Sequence, residues 1–267
     1  MKSILAPLLA APLAAISAEG PIQDNSFLVE EAYNQEDGVV QHINTFQRFR
    51  DSGDWVYTFT QEWPVGGLAH QLSYTVPILR MADSPDGHSG IGDIALNYRY
   101  QLVGDGEAKV AVAPRFTVIV PTGNEKQGRG LRATTYQGLI AMSVVLSPEL
   151  VAHSNVGYTW TPHAKDADGN RADVAAWNAG QSLVWLAARR VNFLLEAIYV
   201  HGQEVAGPGV TNTVKAAFVS PGVRWSYDFE SGLQIVPGIA FPIGVGPSRD
   251  QKSVFLYLSF EHPFRKP

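Results

Sequence analysis

No cysteine occurs anywhere in the 267 residues, which excludes disulfides, thiolate nucleophiles and thiolate metal sites. Charge is also scarce: Asp, Glu, Lys and Arg make up 17% of the chain, against about 25% in an average soluble protein. The formal charge of -5 leaves no basic footprint, so nucleic acid is removed from the expected partners. Beyond the leader there is no uninterrupted apolar run of about 18 residues, so the mature chain has no spanning helix. Mean hydropathy is -0.04. That value would suit a soluble protein if helices were the only way across a bilayer. A transmembrane barrel gives the same average, because lipid-facing and lumen-facing residues cancel.

What is present starts with a leader. Met1 to Ala18 carries one lysine, an apolar core and a small-residue end, the pattern of a secretory signal peptide cut after Ala18. Residues 19–38 are polar and acidic around one apolar island, Phe27-Leu28-Val29. They read as a periplasmic N-terminal segment, or as a plug folded partly into a barrel mouth, with the island serving simple packing.

From Val39 onward one unit repeats: an alternating segment, then a break rich in Gly, Pro, Asp and Ser. The segments are 39–49, 54–63, 68–79, 91–102, 107–120, 134–146, 150–160, 173–186, 190–201, 213–227, 232–242 and 253–264. About twelve strands are expected, an even number, as single-chain bacterial outer-membrane barrels have. The breaks alternate in length. Pro64–Gly67, Val103–Gly106, Ser147–Glu149, Ala187–Arg190 and Asp228–Gly232 are tight turns; Arg80–Gly90, Pro121–Ala133, Thr161–Ala172, Gly202–Asn212 and Ile243–Lys252 are longer loops, with Arg50–Gly53 the short exception. Short periplasmic turns opposite longer outer loops characterise a transmembrane antiparallel up-and-down β-barrel. The barrel is expected to occupy 39–264, followed by a tail at 265–267.

The last strand shows the two faces. Val254, Leu256, Leu258, Phe260, His262 and Phe264 alternate with Phe255, Tyr257, Ser259 and Glu261. In segment 91–102, Ile94, Leu96, Tyr98 and Tyr100 should face lipid, and Asp93, Asn97 and Arg99 the interior. Segment 190–201 likewise sends Phe193, Leu195 and Tyr199 out, with Asn192 and Glu196 in. A basic charge on the lipid face near the midplane costs roughly 2–4 kcal/mol. Arg48, Arg99, Arg115 and Arg224 are therefore expected to line the lumen with Glu62, Glu196 and Glu261. The group reads either as a structural Arg–Glu network or as a charged constriction that selects permeants. Small inward residues (Gly157, Ala179 or Gly180, Gly222) should leave room for a passage.

Other constellations carry less. His153 and Ser154 are adjacent on a strand and so point to opposite faces, which argues against a Ser–His lipid enzyme. The remaining histidines show no metal-ligand spacing. Asp166-Ala-Asp-Gly-Asn170 lacks the distal Glu of an EF-hand. Residues 123–130, Gly-Asn-Glu-Lys-Gln-Gly-Arg-Gly, read as an outer loop that could fold inward as a gate. No catalytic residue, metal or cofactor is expected.

Three stretches together resemble the outer-membrane β-barrel family named for the MetA pathway of phenol degradation. They are Ser89-Gly-Ile-Gly-Asp-Ile-Ala-Leu-Asn-Tyr-Arg-Tyr100, Thr117-Val-Ile-Val-Pro-Thr-Gly123 and Leu256-Tyr-Leu-Ser-Phe-Glu-His-Pro-Phe264. The resemblance implies a transporter of small, often aromatic, compounds in a Gram-negative outer membrane. Expected partners are outer-membrane lipid, the insertion machinery and a small-molecule permeant. The alternative is a structural or adhesive barrel with a plugged lumen, acting through its outer loops.

Overall fold

The computed structural model describes residues 26–84, 87–105 and 108–264. The leader with its cleavage point, residues 19–25 and the tail at 265–267 lie outside them. Twelve principal strands follow in chain order: β1 (Val39–Phe49), β2 (Trp55–Pro64), β3 (His70–Arg80), β4 (Ile94–Tyr100), β5 (Val110–Val120) and β6 (Thr135–Ser147), then β7 (Leu150–Lys165), β8 (Arg171–Ala188), β9 (Val191–Gly207), β10 (Val210–Trp225), β11 (Gln234–Ala240) and β12 (Ser253–Pro263). Two-residue pieces at Gly90–Ile91, Tyr227–Asp228 and Ile243–Gly244 extend the ladders of β3, β11 and β10. Each strand pairs antiparallel with the next. The last returns to the first in an unbroken register, from Val39 opposite Pro263 to Phe49 opposite Ser253. The sheet is therefore a closed antiparallel barrel of twelve strands, and closure satisfies the backbone inside a bilayer, where no water can.

Alternation decides which face goes where. On β4, Leu96 is 50% exposed while Asn97 is 7% and Arg99 4% exposed. On β9, Phe193 and Leu195 are exposed while Asn192 and Glu196 are fully buried. On β12, Leu256 points out, and Phe255, Tyr257 and Ser259 are buried in the interior. Aromatic side chains pair along the outer wall, Trp185–Phe193 toward the periplasmic end and Tyr136–Trp160 and Trp177–Tyr199 toward the outer one. Amphipathic rings in those positions mark the two bilayer interfaces.

Two expectations change. Most of the expected loops at 161–172 and 202–212 is strand, since β7 runs to Lys165, β8 starts at Arg171, β9 runs to Gly207 and β10 starts at Val210. These hairpin tips rise past the other strands of the outer rim, so their outward faces meet water and not lipid, while Thr161, Ala164 and Ala172 stay buried on the inner face. Their sequence therefore lost the apolar alternation by which the lower part was read. The second concerns the N-terminal segment, for which a periplasmic position and a plug in the barrel mouth were both open. From Ser26 to Gln35 it lies inside the barrel, not below it. Phe27 joins Ile43, Val184, Leu194, Val236, Ala240, Phe255 and Tyr257 in one inner apolar cluster, and Ala32 and Tyr33 join Ala111, Ala113, Leu139 and Ala141 in another.

Candidate functional site: a plugged lumen

The inward side chains of seven neighbouring strands hold the N-terminal segment along its length. Ser26 Oγ lies 2.8 Å from Ser182 Oγ on β8. The amides of Leu28 and Val29 both donate to Glu196 Oε1 on β9, at 2.9 and 3.0 Å. On β7, Asn155 bonds the segment like a strand partner, accepting from Glu30 N at 2.7 Å and donating to Glu30 O at 2.8 Å. Ala32 N donates to Ser143 Oγ on β6 at 2.8 Å. Asn34 N donates to Gln101 Oε1 just past β4, and Gln35 N to Gln71 Oε1 on β3. The segment thus crosses from β9 to β3 around the wall before entering β1. Wall side chains take up its backbone groups, which would otherwise be buried without partners.

Arg99 is the strongest single anchor. Its guanidinium donates to Asn34 Oδ1 at 2.8 Å, to Glu31 O at 3.3 Å, to Tyr33 O, and to Gln71 Oε1 at 3.2 Å. Gln71 Nε2 in turn donates to Glu62 Oε2 at 2.9 Å, so Gln71 relays the wall arginine to the wall glutamate. Arg115 pairs with the carboxylate of Glu30 in the segment and donates to Gln137 Oε1.

At the far end, Phe27 rests against Phe255 and Tyr257, with ring centroids 5.8 and 5.5 Å apart. Two glycines make room for it: a Cβ on Gly222 would lie 2.5 Å from the Phe27 ring, and one on Gly238 2.6 Å. A Cβ on Gly180 would lie 2.9 Å from Val29 Cγ2. Of the small residues expected to clear a passage, Gly180 and Gly222 are instead sockets for the segment, and Gly157 makes room for the Asn178 side chain.

Of the expected lining residues, Glu62, Arg99, Arg115, Glu196 and Arg224 face the interior, and Glu261 shares the inner face of β12 with Tyr257 and Ser259. Arg48 does not. It stands opposite Trp55 and Val254 on the outer face and is exposed. One residue from the outer end of β1, it escapes the midplane penalty, which falls to about 0–1 kcal/mol near the interface. The arginines were expected to find their partners among the barrel glutamates. Arg99 and Arg115 instead find them in the segment, and Glu196 accepts segment amides. Only the acidic, amide-rich run around Phe27-Leu28-Val29 could have signalled this.

Elsewhere the inner face is neutral and hydroxyl-rich: Thr45 Oγ1 lies 2.6 Å from Thr58 Oγ1, Thr60 Oγ1 2.8 Å from Thr75 Oγ1, and Thr135 Oγ1 2.7 Å from Thr161 Oγ1. His153 and Ser154 point apart, as expected. His153 Nδ1 meets Ser143 Oγ at 2.7 Å inside the lumen, and Ser154 donates to Gln181 on the outer wall. Asp166 accepts from Asn170 N and Nδ2, which closes that loop on itself. The Gly123–Gly130 loop is clamped to its neighbours on the outer rim. Asp93 accepts from Gly123 N and Leu131 N, Ser84 donates to Gln127, and Glu125 is bonded to Lys165 at 3.0 Å. The Lys165 ammonium holds the Glu125 carboxyl below the usual carboxylate range.

These features define a porin-like outer-membrane β-barrel whose lumen is occupied by its own N-terminal segment. The chain belongs to the family described as the MetA-pathway of phenol degradation, whose model matches residues 23–246. Among solved structures it is similar to the COG4313 outer membrane channel from Pseudomonas putida F1. That match has a TM-score of 0.68 at 15% identity, covering 87% of this chain and 97% of the other. It is also similar to the NanC porin, with a TM-score of 0.57 at 10% identity, covering 82% of this chain and 98% of the other. At such identities the likeness is one of fold. No curated protein matches the chain.

Proposed function

We propose that the protein is a passive outer-membrane channel for small molecules, in which residues 26–35 form a displaceable plug. The observation that carries this reading is the character of the contacts. The segment is held largely by hydrogen bonds from side chains, each replaceable by water, and not by ladder pairing with a neighbouring strand. Glu62, Arg99, Arg115, Glu196, Arg224 and Glu261 line the path at the level of the plug and set its width and charge. The neutral hydroxyls and the Phe255–Tyr257 wall suit small uncharged or aromatic permeants. The leader exports the chain, and the alternating final strand with its aromatic Phe264 addresses it to the insertion machinery. The second reading, a sealed barrel acting through its outer surface, draws on the raised β7–β8 and β9–β10 hairpins.

A chain without cysteine offers a clean test. Val29→Cys with Gly180→Cys places two thiols across the contact between plug and wall, where a Cβ on Gly180 would lie 2.9 Å from Val29 Cγ2, a close approach suited to a disulfide, which needs Cβ atoms about 3.5–4.5 Å apart. In planar bilayers the oxidised protein is expected to be silent, and dithiothreitol should restore wild-type conductance. Conductance indifferent to oxidation would refute a displaceable plug. Silence of the folded, inserted wild type and of the reduced variant alike would favour the sealed barrel.

A further inference from the structure

The barrel closes where β1 meets β12, and on the outer wall of that seam two histidines meet. His42 is the fourth residue of β1 and His262 the penultimate residue of β12, so both sit at the periplasmic end. Their Nε2 atoms are 3.3 Å apart, and their rings stack with centroids 5.4 Å apart at 24°. We propose that His42 and His262 form a chelating site for a divalent transition metal, and that the bound ion fastens the first strand to the last.

The geometry fits the chemistry. A tetrahedral zinc with nitrogen ligands at about 2.0–2.1 Å holds two of them about 3.3–3.4 Å apart. Both rings are restrained before any ion arrives. His42 lies on Phe59, centroids 6.0 Å apart at 20°, and His262 Nδ1 is 3.5 Å from the Pro263 carbonyl. A ligating imidazole commonly gives its other N–H to such a carbonyl, which fixes the tautomer and leaves Nε2 with a free lone pair. In the metal-free pair His42 Nε2–H then donates to His262 Nε2. Metal binding takes the place of that proton, which moves to Nδ1 of His42 and leaves the ring neutral. Imidazole ligands select zinc, copper or nickel over magnesium and calcium. Among the described residues no three His, Asp or Glu side chains gather to hold a metal, so solvent completes the coordination. Water reaches the site because it lies at the bilayer interface and not at the midplane.

An ion that binds only the closed seam stabilises the barrel by mass action, multiplying the folded-to-unfolded ratio by about tenfold at ten times Kd. The test uses untagged full-length protein folded in detergent micelles, with unfolding in urea followed as zinc chloride is added. Zinc is expected to raise the midpoint in the wild type and in His70→Gln, a control on the same outer wall, and EDTA should reverse the effect. His42→Gln and His262→Gln should each lose the response. A midpoint shift that survives both substitutions, or no shift in the wild type, would overturn the proposal. Copper(II) electron paramagnetic resonance of the wild type needs no variant to fold: two equivalent nitrogens support the site, and one nitrogen means adventitious binding.

Discussion

Replacing Arg99 by Ala should unfasten the plug. The substitution removes bonds to Asn34 Oδ1 at 2.8 Å, to Glu31 O at 3.3 Å and to Tyr33 O. Hydrogen bonds to a charged group contribute about 1.5–3 kcal/mol each. Water entering the vacated space restores part of that, leaving about 1 kcal/mol each and roughly 3 kcal/mol in all. At about 1.4 kcal/mol per factor of ten, the ratio of plugged to unplugged barrels falls about a hundredfold. Gln71 keeps its bonds to Gln35 N and Glu62, so the wall itself should survive. The assay is single-channel open probability in a planar bilayer, with heat-modifiable migration on gels as the control for folding. Arg48→Ala, on the outer face, serves as the control for charge removal. An open probability in Arg99→Ala that matches Arg48→Ala, in a correctly folded protein, would refute the idea that these bonds hold the segment in place.

Three further outcomes are expected. Gly238→Ala drives a methyl to 2.6 Å from the Phe27 ring and should evict it, forfeiting part of the about 1.5–3 kcal/mol that burying such a ring contributes. Faster proteolysis of the N-terminal segment would report the eviction without any change of charge. Glu125 gives a pH prediction. Its carboxyl titrates below the usual range because of Lys165, so the pair supports the loop above the unfolded carboxyl pKa and loses that support as pH falls through the lower folded value. The protection of residues 123–131 from hydrogen exchange, relative to unstructured chain at the same pH, should therefore fall on acidification below the ordinary carboxylate range in the wild type. In Glu125→Gln that protection should already be low at neutral pH and unchanged by acid. Ile140→Arg puts a cation on the lipid face, where Ile140 is 57% exposed. It should cost roughly 2–4 kcal/mol in urea titrations of folding into lipid, and a change below 1 kcal/mol would mean that this position does not face the hydrocarbon.

The wall was legible because a bilayer imposes period two on every strand that crosses it. Leu96 and Tyr98 against Asn97 and Arg99 could hardly be read otherwise, and the tight turns fixed which end was which. Where the bilayer ends, so does the signal: Thr161 to Lys165 and Gln203 to Gly207 stand beyond it, where the outward face no longer has to be apolar, and their strands could not be told from loop. Arg48 failed for a related reason. Its face of β1 also carries His42 and Asn44, so it reads as the less apolar and hence inward one, and the rule that keeps charge from lipid pointed the same way at a position too near the rim for it to apply. The plug was half visible. Its apolar island was plain, but a run held by side-chain hydrogen bonds from seven strands has no periodicity of its own. The pairing of His42 with His262 depends on closure across 220 residues, which no local spacing reports.

The plug is covalently continuous with β1, and this makes it a tethered ligand of its own barrel. A segment joined to the first strand through only Glu36, Asp37 and Gly38 stays beside the lumen even when displaced, so its effective concentration there is high and independent of how much protein is present. Arg99 and Glu196 bond the segment's own carbonyls and amides, and water takes those places whenever the segment leaves. A displaced plug is therefore expected to return unaided, which would make the closed state self-restoring.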